Sequence, residues 1–533
     1  MSGEIIGHGT WVDKIAWEIV KREEKLGRKV EVYRTEMGIG ASGLPHLGSF
    51  GDAARAFAVK MALEEMGYKS EMIAYTDDMD GLRSVPIGMP EWLKKYIGFP
   101  VTSIPDPYGN CHESFGDHMS SLLREAMDAC GIEYKFVSGR DFYKRGGLNE
   151  QIIKILTNAE KVGKIVKEVT GSEKYLNALP YFPVCENCGR IYTTRAYKFL
   201  SDERKVLYVC EGMEIKGKWL EGCGYEGEVD PTKGKGKLSW VAGEFAARWA
   251  ALKINFEAYG KDIAASVESN DRICSEVLGY EPPYHVQYEL FLDKTGRKMS
   301  KSRGNVLTPQ LWLKYGPPES LMLLMLKRFV GTRRIDIMDI PKYVDELDML
   351  EDVYFDRKQI PDKRERAKLK GLYLYVWRCK PPKEPAPHVP YNLLTYLIRI
   401  APEGKKIEFV IDKLKQYGYV KSEEIPERLK MKIQYAMSWV KDFEEIGAVE
   451  ISLSEGQKKA IKDLIEFLSV ERKSDEIQNA IFEIARRNGL KPKEFFTVLY
   501  TILLGTPKGP RMGPFIVAMG RDRVIAALQR ALS

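Results

Sequence analysis

Two rhythms of apolar residues divide the chain. Up to residue 310, β-type runs alternate with helical ones. Helical spacing covers residues 13–25 and 50–66, where Ala54, Phe57, Ala58, Met61 and Ala62 share a face. Strand patterns fall at 29–34 (KVEVYR), 70–75 (SEMIAY) and 284–292 (YHVQYELFL). This alternation predicts an α/β fold, a Rossmann-type parallel sheet covered by helices. Residues 316–330 read as a helix-rich connector. Beyond residue 345 the period is helical over 392–400, 407–417, 426–443, 454–470, 474–488, 492–503 and 521–532, broken by the Pro-rich crossing at 380–390. An all-α C-terminal domain is therefore expected.

Composition narrows the class. At about 150 residues per domain, 533 residues suggest roughly three to four domains. Hydrophobic residues make up 44% and charged residues 29%. No run of 18 apolar residues and no apolar leader is visible, so the expectation is a cytoplasmic protein, neither secreted nor bound to a membrane. The net charge of +7 is modest for this length, so a polyanion would have to meet a local basic surface. Two stretches offer one: the loop Thr232-Lys-Gly-Lys-Gly-Lys237, which serves equally well as a solvated linker, and the helical half, with Lys405, Lys406, Arg428, Lys430, Lys432, Arg486, Arg487, Lys491 and Lys493.

The eight cysteines are too few and too clustered for a disulfide scaffold, which points to a reducing compartment and zinc. Cys185-Glu-Asn-Cys188-Gly189, then Cys210, then Cys223-Gly224 has the form of a four-cysteine ribbon, with a hairpin over 212–218 between the last two ligands. No position is left open, so this zinc would be structural. A second set, Asp106, Cys111, His112 and His118, can furnish four further ligands, or be ordinary polar loop residues capping a helix over 117–130.

Two segments about 250 residues apart suggest phosphate chemistry. The first strand leads into Thr35-Glu-Met-Gly-Ile-Gly40-Ala-Ser42-Gly43, read as a glycine turn, then His46-Leu47-Gly48-Ser49 at a helix start, which would present N–H groups to an anion. The second segment is Lys298-Met299-Ser300-Lys301-Ser302, a basic loop after the last strand. Between them, Asp77-Asp78-Met79-Asp80 at the end of the second strand could bind an ammonium or a ribose, or cap a helix.

The His-x-Gly turn and the distant Lys-Met-Ser-Lys-Ser loop together resemble class I aminoacyl-tRNA synthetases. Ser42 to Ser49, Asp77 to Arg83, Gly260-Lys261-Asp262 and the helical tail look most similar to class I lysyl-tRNA synthetases of the archaeal type. That resemblance implies attachment of L-lysine to tRNA(Lys) through an adenylate, with ATP and Mg²⁺, by a monomer. It implies catalytic roles for His46, Lys298 and Lys301, and ATP contacts from Gly40, Ser42, His46, Gly48, Ser49, Asp262, Met299, Ser300 and Lys301. The lysine pocket would hold Gly38, Trp240 and Tyr288, with Glu36, Asp77 and Asp78 as candidate partners for the ε-ammonium. Three features depart from the family: Ser49 ends the first motif, Ile263 follows Gly-Lys-Asp, and Val267-Glu268 replaces a glycine pair. The expected division is a first Rossmann half (1–100), a zinc-bearing insertion (101–237), a second half (238–310), a stem-contact connector (311–350) and an α-helical anticodon-binding domain (351–533). A synthetase for glutamate, cysteine or arginine, and a non-charging zinc-containing RNA-binding paralogue, are the alternatives.

Overall fold

The computed structural model describes residues 5–289, 291–293, 295–297, 307–328, 331–443, 452–504, 507 and 509–532. Lys298, Met299, Ser300 and Lys301 lie outside the described residues. Contacts divide the chain into two units: Met1–Trp312 with Leu321–Ile337 and Lys358–Pro381, and Leu313–Ser320 with Met338–Arg357 and Pro382–Ser533.

The first unit is built on five strands: β1 (Tyr33–Ile39), β2 (Ser70–Thr76), β3 (Lys135–Ser138), β4 (Phe256–Gly260) and β5 (Tyr284–Tyr288). All neighbours pair in parallel, and their order across the sheet is 3-2-1-4-5. The chain order therefore reverses between β1 and β4, which opens a crevice at their carboxyl ends. The first helix, α1 (Trp11–Lys25), starts two residues earlier than its apolar period suggests, because Thr10 and Asp13 close a capping box. The second, α2 (Leu47–Glu65), is buried nearly all round, and Ala53, Ala54, Ala56 and Ala58 let it lie close to its neighbours.

One expectation moves. The sequence pattern ends the first strand at residue 34 with a turn from Thr35, whereas β1 continues through Ile39. Seven consecutive register positions with β2, from Tyr33 opposite Ser70 to Ile39 opposite Thr76, hold the segment extended despite Gly38. Glu36 and Gly38 are thus sheet residues, and Glu36 is completely buried.

The insertion before β4 carries an antiparallel sheet of Thr194–Leu200, Lys205–Cys210 and Glu226–Val229, and a hairpin of Gly212–Ile215 with Lys218–Glu221. The expected last strand stops at Tyr288; Phe291–Leu292 instead pairs with Arg333–Arg334. Helix Lys363–Val376 also belongs to the first unit, where the Tyr375 hydroxyl donates to Asp13 Oδ1 at 2.6 Å.

Helices dominate the second unit. Most of those expected are present, and Ile340–Tyr354 and Met512–Met519 add to them. Met512–Met519 is masked in sequence by Gly513-Pro514. Proline is tolerated in a first turn, and a Cβ at Gly513 would lie 2.0 Å from the Ser474 carbonyl, so the crossing itself requires glycine. Two residues of the expected basic surface are spent internally. Lys432 is buried, reaching Asp348 Oδ2 at 2.6 Å and the Val389 carbonyl at 2.7 Å, and Arg428 donates to the buried Glu351 at 2.5 Å.

Candidate functional site

A cavity of about 460 Å³ opens at the carboxyl ends of the strands. Ser42 comes to it from the loop after β1, Asp77, Asp80, Gly81, Arg83 and Ser84 from the loop after β2, and Ile263 from the turn after β4. Trp240 and Phe245 supply an aromatic wall, their rings 6.3 Å apart. Parallel strands can deliver these residues to one place because all of them end on the same side.

Behind Asp77 lies a dense charge network. Arg248, 2% exposed, places Nε 2.6 Å from Glu36 Oε1, Nη2 3.0 Å from Glu257 Oε1 and Nη1 3.4 Å from Asp77 Oδ1. Lys237, equally buried, pairs with Asp80 and lies 2.7 Å from Glu244 Oε2. Five carboxylates thus face two buried cations, with Arg83 acting on Asp80 from the rim. Burial pushes Glu36 and Asp77 upward against the pull of Arg248, and pushes Glu244 up to about 7 against that of Lys237. A further cation beside such buried carboxyls would favour their ionised forms.

The acidic candidates separate on geometry. Asp77 lines the cavity. Glu36 does not, since it faces Arg248 from inside the sheet. Asp78 is buried and turned away; it accepts from the Ser138 hydroxyl at 2.7 Å and the Arg140 N–H at 2.6 Å, at the start of helix Gly139–Lys144. Burial raises its carboxyl to about 6. Of the aromatic pair, Trp240 lines the cavity and Tyr288 does not: its hydroxyl donates to Asp52 and its ring lies under the Arg55 guanidinium at 4.0 Å. Asp80, a member of the acidic cluster seen in sequence, lines the cavity as well, whereas Phe245, Arg83, Ser84 and Lys216 carried no assigned role in sequence, although Arg83 belongs to the segment that carried the family resemblance.

The His46 turn is compact. His46 is the N-cap of α2, and its Nδ1 accepts from the Ser49 N–H at 3.1 Å. A Cβ on Gly48 would lie 2.8 Å from the imidazole, so glycine is what allows the ring to fold back over the helix start. Ser49, the departure from the family motif, contributes its backbone to this cap. Gly40 is exposed beside the loop with open space around it, and Gly38 abuts Asp77, 3.7 Å from Oδ2 to a Cβ placed there. Asp262 sits in the exposed turn after β4. The Leu47 N–H donates to the Leu307 carbonyl at 3.1 Å, which brings a residue five positions beyond Ser302 against the His46 turn.

Both metal sets converge. Cys185 and Cys223 sulfurs are 3.6 Å apart, Cys188 and Cys210 sulfurs 3.7 Å, and all four lie within 4.8 Å of one another. A tetrahedral zinc with bonds of about 2.3 Å requires sulfurs about 3.8 Å apart, so the donor set and spacing fit. Gly189 and Gly224, at φ +75° and +74°, turn the two knuckles. In the second set, His112 and His118 face each other through Nδ1 atoms 3.1 Å apart, each 3.3 Å from Cys111 Sγ. Asp106 Oδ1 lies 3.1 Å from His118 Nδ1 and Oδ2 lies 3.1 Å from Cys111 Sγ. Two imidazoles, a thiol and a carboxylate aimed at one point suit zinc as well.

A parallel sheet of this order, with the His46 turn at its first crossover, accords with the class I aminoacyl-tRNA synthetases, to which the chain belongs. Within that class the chain belongs to the family of tRNA synthetases class I (K), which residues 9–374 match, and residues 424–532 match the anticodon binding domain. It is similar to the lysine--tRNA ligase of Cenarchaeum symbiosum (strain A), 46% identical over 531 residues covering 99% of this chain and 100% of the relative. A lysine--tRNA ligase of Rickettsia felis is 33% identical over 528 residues, 96% of each chain. Among solved structures, a glutamate tRNA ligase from Elizabethkingia meningosepticum aligns over 94% of this chain and 99% of that one at 14% identity, with a TM-score of 0.33, and carries no further weight. No helix among the described residues is long and apolar enough to cross a membrane.

Proposed function

We propose that the protein attaches L-lysine to tRNA(Lys) through a lysyl-adenylate formed from ATP. The observation that carries this reading is the acidic surplus behind the cavity: Asp77 faces the open space, and among the described residues the five carboxylates of its network meet three cations, Arg248 and Lys237 within it and Arg83 beside Asp80. An ε-ammonium supplies the missing cation, and Trp240 offers it a ring face. Glutamate would bring a further carboxylate to the same network, which disfavours it. Kinship with lysine--tRNA ligases over nearly the whole chain supports the same choice.

The amino acid carboxylate attacks the α-phosphorus of ATP and pyrophosphate leaves; the acyl group then passes to the terminal ribose of the tRNA. Such chemistry depends on position and charge more than on a protein nucleophile. His46, fixed by its own cap and by Gly48, holds the phosphates from one side, and Lys298 and Lys301 stabilise the charge that builds in the transition state. Gly40, Ser42, Ser49, Asp262, Met299 and Ser300 complete the nucleotide site. Mg²⁺ would neutralise phosphate charge when bound with the nucleotide. Zinc would be held by Cys185, Cys188, Cys210 and Cys223, and a second ion by Asp106, Cys111, His112 and His118, both as folding elements. The five-part division given above, a cytoplasmic location and a monomeric state belong to the same proposal.

Charging of total tRNA with each of the twenty amino acids tests it. Esterification of lysine alone is expected. Charging with a different amino acid, or with none, would overturn the reading.

A further inference from the structure

The hairpin Gly212–Glu221 is suspended between the third and fourth cysteines of the ribbon, and its tip reaches the cavity of the first unit. Lys216, at the turn, lines the cavity and donates from Nζ to the Ser84 hydroxyl at 2.7 Å. Its backbone is unusual. Lys216 and Gly217 have φ of +51° and +76°, the two left-handed positions of a tight hairpin turn, where asparagine or glycine is favoured at the first. A lysine there keeps a strained conformation that a smaller polar residue would relieve, and strain of this kind gathers at functional positions.

The hairpin is not a loose flap. Cβ atoms at Gly212 and Gly222 would lie 2.7 Å from the Leu220 carbonyl and 2.1 Å from the Cys210 carbonyl, so its base closes only on glycine. Leu220, Met213 and Ile215 pack with Phe182, Ile191 and Tyr192, and Arg190 donates to the Glu221 carbonyl at 3.1 Å. A rigid support of this sort holds a tip residue in one place.

Charge is distributed unevenly around the cavity. Asp77 and Asp80 are half-buried, whereas Arg83 and Lys216 are exposed at the rim. Arg83 is already engaged, stacked over the Tyr192 ring at 5.3 Å and hydrogen-bonded to its hydroxyl at 3.3 Å. Lys216 donates to a neutral serine hydroxyl, a partner that an anionic oxygen readily replaces.

We propose that Lys216 is a positioning residue for the amino acid: it binds the anionic end of the substrate, the α-carboxylate and then the phosphate of the adenylate, while the side-chain ammonium lies against Asp77. This rests on the lysine reading above and assigns the opposite end of the same substrate.

Lys216→Asn separates charge from fold, because asparagine suits the left-handed backbone and the thermal midpoint should stay level or rise. Binding of L-lysine and of L-lysinol, which lacks the carboxylate, is measured on the full chain by calorimetry, together with tRNA affinity. Lys216→Asn is expected to weaken L-lysine about tenfold or more and to leave L-lysinol and tRNA unchanged, with Lys216→Arg restoring part of the loss. Equal L-lysine affinity in wild type and variant, an equal loss for L-lysinol, or a loss confined to tRNA would each overturn the assignment. Failure of the wild type to bind L-lysine at all would instead sink the lysine reading on which it stands.

Discussion

Leu47 N–H donates to the Leu307 carbonyl at 3.1 Å, joining the residue after His46 to one that lies five positions beyond Ser302, some 260 positions away. This hydrogen bond ties the described chain beyond the second proposed ATP segment to the turn that carries the first. His46 in turn depends on Gly48, where a Cβ would press 2.8 Å from its ring. Gly48→Ala should lower ATP–pyrophosphate exchange, assayed with tRNA present, by about 10²-fold through displacement of the imidazole. Alanine is the better helix former by about 0.5–1 kcal/mol, which offsets the loss of the His46 cap, of about 0.5–2 kcal/mol, so thermal stability should change little beside the fall in exchange. An unchanged exchange rate would place His46 outside the reaction.

Arg248 is the hub of the buried network, in contact with Glu36, Glu257 and Asp77. Removing one partner of a buried ion pair leaves the others uncompensated and typically costs about 3–5 kcal/mol. Arg248→Met should lower unfolding stability by that order in urea titration. A loss no larger than that of a surface substitution would mean the carboxylates are satisfied without it.

Asp52 gives a pH signature. Burial raises its carboxyl to about 7, against the hydrogen bond from Tyr288. Between the ordinary carboxylate range near 4 and pH 7, the folded chain keeps a proton that the unfolded chain has released. Bound protons favour the folded state there, so this contribution is fully present at the acid end of the window and is lost as pH rises through 7. Asp52→Asn keeps an acceptor for Tyr288 and removes the titration. The stability of the variant relative to wild type should rise between pH 5 and pH 8; a constant difference would contradict the assignment.

Metal content follows from the two converging donor sets. Two zinc ions per chain are expected by elemental analysis, falling to one in Cys188→Ala and to one in His118→Ala. Chelation should unfold the Cys185 to Cys223 module, seen as a lowered thermal midpoint, before ATP binding is lost. A midpoint indifferent to chelation would argue against a structural ion.

Much of this was legible in the chain. The cysteine and histidine spacings anticipated both donor clusters, since ligands close in sequence need only local turns to meet, and the strand–helix alternation announced the parallel sheet. Long-range pairing was not legible. β1 runs on through Gly38 because β2 pairs with it along its whole length, and this puts Glu36 inside the sheet against Arg248, more than two hundred residues away. Asp77 and Asp78 look alike in sequence; one faces the cavity and the other caps a short helix because successive side chains at a strand end diverge. Lys216 gave no signal, as a hairpin tip within a four-cysteine module reveals its target only when folded.

The central claim is that the acidic surplus at Asp77 receives the ε-ammonium of lysine. Asp77→Asn preserves shape and removes the one carboxylate of the Arg248 cluster that lines the cavity. Equilibrium binding of L-lysine and of ATP to wild type and variant decides the matter. Lysine affinity should fall about tenfold or more with ATP affinity unaltered; lysine binding as tight in the variant as in wild type would contradict the account.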